Sequence, residues 1–109
     1  MPMTAFNITV ERSADAVVLR VRGELDIATA PTLRESILLA LHGGPKILVI
    51  DLSAVTFLAA AGLVALTTAN RKGTDVRVVV ASRPCERTIH LTGFDAILTL
   101  HGNLTDALR

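Results

Sequence analysis

The sequence has few aromatic residues and a single cysteine. Only 3% of its 109 residues are aromatic, with no tryptophan or tyrosine, so we expect a core of aliphatic side chains and alanine. Cys85 has no second cysteine with which to form an intramolecular disulfide, and residues 1–5 lack the charged start and apolar run of a secretion signal. These absences predict a cytoplasmic protein.

An excess of charge of either sign is also missing. The 11 Lys and Arg residues nearly balance the 10 Asp and Glu residues, and they form no basic stripe of the kind that neutralises nucleic-acid phosphates. An apolar stretch at 54–69 contains three threonines and is shorter than the roughly 20 residues that a membrane span needs. We therefore expect neither nucleic acid nor membrane as a partner.

Motifs for catalysis or metal binding are missing as well. The seven glycines form no phosphate-binding loop, and neither lysine is followed by Ser or Thr. The histidines His42, His90 and His101 are far apart, and none has a second ligand at metal-binding spacing. We expect no metal, no cofactor and no enzymatic activity, and a small nucleotide-binding enzyme is the weakest of the functional classes considered.

Hydrophobic periodicity predicts the secondary structure. Alternation over 6–11 and in VVLRVRG predicts an N-terminal hairpin. Pro31, with Thr29 or Ala30 as the cap, opens a helix that ends at HGGP. The later elements are a strand over 46–52, a helix over 59–70, a strand from Asp75, a helix opened by Ser82 and Pro84, a strand over 96–100 and a short helix from Asn103.

The order of these elements predicts the fold class. Helices that follow strands imply crossover connections, so the sheet should be mixed and largely parallel, with an antiparallel first hairpin. We expect one α/β domain over residues 1–109, with a core at about 5–101 and about four helices.

Three further side chains have competing interpretations. We expect Asp51 to accept backbone N–H bonds in the turn that follows its strand. For Asp26, a functional role and a role in forming a turn are about equally supported. Cys85 lies in the predicted first turn of a helix, where a thiol can become reactive. We interpret it as an unreactive thiol, with redox sensing as the alternative.

Two stretches carry a family resemblance: GELDIATAPTLRESI from Gly23 and ILVIDLSAVTFLAAAGLVAL from Ile47. Together they resemble the STAS domain, in particular the single-domain bacterial anti-sigma factor antagonists, and the resemblance covers almost the whole chain. It implies a non-catalytic module that regulates transcription by binding an anti-sigma factor of the histidine-kinase-like ATPase fold. We expect a monomer or a weak homodimer.

In that family the second motif usually continues Phe-Leu-Asp-Ser-Ser-Gly-Leu, and the partner kinase phosphorylates the serine before the glycine to end binding. FLAAAGL places Ala59 at the aspartate, Ala60 at the first serine and Ala61 at the phosphoacceptor. The resemblance therefore implies the scaffold of a switch without its acceptor. Ser53 and Thr56, assigned to the preceding loop, are the alternative acceptors.

The resemblance also indicates a partner-binding surface. It is expected to comprise Asp26, Ile27, Thr29, Ala59, Ala60, Ala61, Gly62 and Leu63. A packing role and helix propensity are the alternative explanation for the alanines. The alternative function is an accessory STAS subunit of a lipid-transport ATP-binding cassette system.

Overall fold

The computed structural model describes residues 5–70 and 73–109, and within these ranges it contains five strands and four α-helices. The elements are β1 (Asn7–Arg12), β2 (Ala16–Leu25), α1 (Ala30–His42), β3 (Ile47–Leu58), α2 (Ala60–Thr67), β4 (Asp75–Val79), α3 (Arg83–Leu91), a 3₁₀ helix (Phe94–Ala96), β5 (Leu100–His101) and α4 (Leu104–Ala107). The predicted α/β fold, with its N-terminal hairpin and about four helices, is confirmed.

The strands pair in chain order, from β1 to β5, in one sheet. β1 pairs with β2 antiparallel and every later pair is parallel, as expected from the crossover helices. β2 and β3 remain paired to their last residues, Leu25 and Leu58, across two register shifts near Gly23, and at each shift β3 has one extra residue. Gly23 has φ +98°, and a Cβ there would lie 2.9 Å from Phe6 Cα, so only glycine fits this close approach of the chain.

β3 is longer than predicted. The apolar run predicts an end at Leu52, but the strand continues to Leu58 because its last residues pair with the end of β2. The prediction that Ser53 and Thr56 lie in a loop is therefore wrong, since both are strand residues with exposed side chains.

The two faces of the sheet carry different layers. Alternating residues such as Leu19 and Ile50 pack under α1, α2 and α3 in the main core. On the opposite face, α4 covers only a smaller cluster made of Val18, Val49, Val79 and Ala107. α1 follows β2 and α2 follows β3. Because these two strands are parallel and end side by side, the amino ends of both helices lie at the same end of the sheet.

Two predicted elements differ in extent. The second helix ends at Thr67 instead of Asn70, and the chain continues as a turn. The strand predicted over 96–100 is wrong for most of its length, because Gly93 adopts a left-handed φ of 78° and starts a 3₁₀ helix. Leu98 N then bonds to Phe94 O, which turns the chain before the two-residue β5.

Gly62 offers a test of how α2 packs on the sheet. A Cβ at this position would lie 2.6 Å from Leu25 Cγ, and Leu25 is fully buried. We expect Gly62→Ala to lower the free energy of unfolding by about 1–2 kcal/mol, because the overpacking cost exceeds the helix-propensity gain of about 1 kcal/mol. Urea denaturation measures the change.

Gly43→Ala is the matched control. A Cβ there has no atom within 4 Å, and the φ of Gly43 is −78°, so its effect should stay within about 0.5 kcal/mol. Equal stability of both variants would contradict the close packing of α2 on Leu25.

Candidate partner-binding surface

The predicted surface lies where β2 and β3 end side by side. Leu25 and Leu58 are paired in register, and Ala59 N donates to Leu25 O at 2.9 Å. This bond holds the loop after β2 against the start of α2. The structure therefore brings together the two segments that the sequence indicated, and we call Asp26–Thr29 with Ala59–Ala61 the docking edge.

The loop of the docking edge is closed by its own polar side chains. Asp26 Oδ1 accepts from Ala28 N at 2.9 Å and Thr29 N at 3.1 Å. The Thr29 hydroxyl donates to Glu24 O at 2.8 Å and accepts from Asp26 N at 2.9 Å. Turn-making is thus the visible role of Asp26, and the hydroxyl of Thr29 bonds within this loop instead of capping an N–H of α1.

The same turn presents an apolar side chain to solvent. Ile27 lies between Asp26 and Ala28, which are joined by the bond from Ala28 N to Asp26 Oδ1, and Ile27 is 82% exposed. An isolated exposed apolar residue is ordinary on a protein surface, but a contiguous set is typical of a binding site. Ile27 is not isolated, because it also lines a groove beside the docking edge, described below, together with Leu38 and Val64.

The start of α2 has no polar group of its own. Ala59 is the N-cap residue with extended backbone (φ −99°, ψ 167°), and no side chain in the described part of the chain caps the helix. Thr56 does not substitute, because its hydroxyl donates to Gly23 O at 3.4 Å. Ala60 is exposed, whereas Ala59 and Ala61 are half-buried.

Two residues assigned to the exposed side of α2 lie inside the protein. Leu63 is fully buried in the main core, and Gly62 is buried against Leu25 and Leu58. The prediction that they belong to the exposed face is wrong. The cause is that α2 is apolar on every side, so its hydrophobic pattern does not indicate which face is covered.

A groove of about 790 Å³ runs between α1 and α2 next to the docking edge. Its lining residues are Ile27, Ala30, Pro31, Arg34, Glu35, Leu38, Ala61, Val64, Ala65, Thr67 and Thr68. The sequence did not indicate this groove, because the helical spacing of apolar residues in α1 does not separate Leu38, which is 36% exposed, from the buried Leu33 and Ile37. The available signal was the apolar character of α2 on all sides, since such a helix is usually covered.

The other candidate polar residues have structural partners. Asp51 is buried in β3, where Oδ1 accepts from Ser53 N at 2.9 Å and Oδ2 lies 3.9 Å from Arg20 Nη1. The expected backbone bond is present, but it lies within a strand instead of a turn. Cys85 is in the first turn of α3 as predicted, and its buried thiol donates to Val55 O at 3.6 Å, a setting typical of an unreactive cysteine.

The histidines do not converge. His42 is exposed at the end of α1, and His90 Nδ1 lies 2.8 Å from Asp95 Oδ2. Nε2 of His101 is buried and has no hydrogen-bond partner within the described ranges. Among residues 5–70 and 73–109, no three His, Cys, Asp or Glu side chains are placed to hold a metal ion. No helix in those ranges combines the length and apolar character required to cross a membrane.

Comparisons with known proteins find similarity over nearly the full chain. The family model for the STAS domain matches residues 7–107. The chain is 39% identical over 107 residues to the anti-sigma-F factor antagonist RsfB of Mycobacterium tuberculosis, covering 95% of this chain and 88% of that protein.

Solved structures show the same likeness. A crystal structure of an anti-sigma factor antagonist from Mycobacterium paratuberculosis has a TM-score of 0.89 and 39% identity, covering 95% of this chain and 92% of the other. The Bacillus cell fate determinant SpoIIAA in its phosphorylated form has a TM-score of 0.63 and 17% identity, covering 95% and 96%. At that identity, the second likeness concerns the fold alone.

The uncapped start of α2 generates a stability prediction. Ala59 already has the extended backbone of an N-cap, so Ala59→Asp should accept an N–H of the first turn and raise the free energy of unfolding by about 0.5–2 kcal/mol. Ala59→Asn should give a similar gain, because capping does not require charge. Thermal unfolding measures both variants. If neither variant were more stable than the native protein, the assignment of Ala59 as an N-cap position without a capping side chain would be contradicted.

Proposed function

This chain belongs to the STAS domain family, and from that premise we propose that it is an anti-sigma factor antagonist, a non-catalytic cytoplasmic module that regulates transcription initiation. The observation that carries the proposal is the docking edge, which holds small or apolar side chains at Ile27 and Ala59–Ala61. A rigid, weakly polar edge of this kind is suited to protein contact. The similarity to RsfB supports the same role.

The finer proposal is that phosphorylation at position 61 does not control binding. Ala61 lies in the first turn of α2 and lines the groove, so a hydroxyl there would be near the protein surface. Its methyl group cannot accept a phosphoryl group. A phosphoserine would add about −1.5 to −2 charges to the contact surface, and this chain has no means of adding that charge at the matched position.

We propose that the partner is an anti-sigma factor with a histidine-kinase-like ATPase fold, bound by a monomer or weak homodimer of this chain. Asp26 and Thr29 then act mainly by fixing the loop, because their side chains are engaged in the turn. Ile27, Ala60 and Ala61 supply the contact area. Gly62 and Leu63 contribute by holding α2 in place.

The test is to titrate each purified anti-sigma factor of the source organism that carries such an ATPase domain with the native protein by calorimetry. We expect one of them to bind, and we expect ATP to leave binding intact because Ala61 cannot be phosphorylated. Ala61→Asp should weaken binding by about tenfold or more, since it places a charge within a desolvated contact. Failure of all these factors to bind, or selective binding of a transporter ATPase, would refute the proposed function.

A phosphorylation assay tests the finer proposal separately. The native protein should take up no phosphate from the bound factor and ATP, whereas Ala61→Ser should be phosphorylated if position 61 matches the acceptor. Ala60→Ser is the matched control and should remain unmodified. Phosphate on the native protein, at Ser53, Thr56 or elsewhere, would show that covalent control has moved instead of being lost.

A further inference from the structure

The groove between α1 and α2 extends well beyond the docking edge and has large apolar side chains open to solvent. Ile27 is 82% exposed, Val64 is 61% exposed and Leu38 is 36% exposed, and all three line the groove. They come from three separate segments that the fold places around one depression. Contiguous exposed apolar surface of this kind is typical of an interaction site.

The base of the groove has small side chains. Ala30, Ala61 and Ala65 contribute only methyl groups to its lining, which permits close approach of a neighbouring backbone. The stretch that borders the groove, from Ala61 in α2 to its C-cap residue Thr68, is about 10 Å long at 1.5 Å per residue. That length matches roughly two turns of a helix lying in the groove.

The charges at the rim indicate what kind of molecule fits. Arg34 and Glu35 are adjacent in sequence on α1, and both line the groove. Neither makes a salt bridge within the described residues. One cation beside one anion does not favour a nucleic acid or an anionic membrane, which require an excess of positive charge. A protein segment with charges of both signs is complementary to this rim.

We propose that the groove holds an amphipathic helix of the anti-sigma factor, whose apolar side chains pack between Leu38 and Val64. This inference rests on the proposed function and names a second part of the same interface. Ala61 belongs both to the docking edge and to the groove, so a partner that covers position 61 also covers one end of the groove. Recognition would then follow the helix-in-groove mode, with apolar anchors at i, i+3 or i+4, and i+7.

The test measures binding of the anti-sigma factor identified by calorimetry to single-charge variants. We expect Leu38→Lys and Val64→Lys each to weaken binding by about tenfold or more, because a lysine would desolvate in an apolar contact. Leu39→Lys and Leu91→Lys are the controls, since these residues are 67% and 75% exposed and do not line the groove. Both controls should bind like the native protein, and circular dichroism should show unchanged melting for all four.

NMR of the isotope-labelled native chain gives a second readout that needs no substitution. Amide signals of the groove-lining residues on α1 and α2 should shift or broaden when the anti-sigma factor is added. Native-like binding by Leu38→Lys and Val64→Lys would overturn the groove proposal and leave the proposed function standing. Absence of binding by the native protein would overturn both. Self-association that these two variants abolish, without an effect on the anti-sigma factor, would assign the groove to a second copy instead.

Discussion

The pairing of β2 with β3 up to Leu25 and Leu58 is the constraint on which the candidate surface depends. It places the carboxyl ends of both strands together, and the bond from Ala59 N to Leu25 O ties α2 to the loop after β2. Gly62 then lies directly against the buried side chain of Leu25. The end of β2, the loop after it and the start of α2 therefore all meet at Leu25. Ile27 and Ala61 are held on a common rigid edge as a result.

Rigidity has a consequence for control of binding. A docking edge closed by internal hydrogen bonds and made of small side chains needs little ordering when a partner arrives, which lowers the entropic cost of association. With alanine at position 61, the edge has no group that can be switched covalently at that point. On the proposed function, occupancy of the anti-sigma factor then depends on the concentrations of the two proteins and their affinity.

Features set by local chemistry were predictable from the sequence, whereas features set by tertiary packing were not. The caps at Ser82 and Asn103 bond to nearby backbone N–H groups, so the helices that they begin could be identified. The extension of β3 depends on its pairing with β2, and no residue within 53–58 signals it alone. The exposure of Leu38 and Val64 depends on how α1 lies against α2, and apolar spacing does not distinguish such residues from core residues.

The division of the surface into edge and groove suggests where partner choice arises. On the proposed function, the alanine methyl groups at Ala59–Ala61 permit contact with many shapes, so the edge alone would discriminate poorly between related anti-sigma factors. Discrimination requires groups that penalise the wrong partner. Arg34 and Glu35 at the rim of the groove are the charged residues placed to do this, because a like charge opposite either one is unfavourable. If the groove holds a helix of the anti-sigma factor as proposed, the edge would contribute to affinity while the groove would determine specificity.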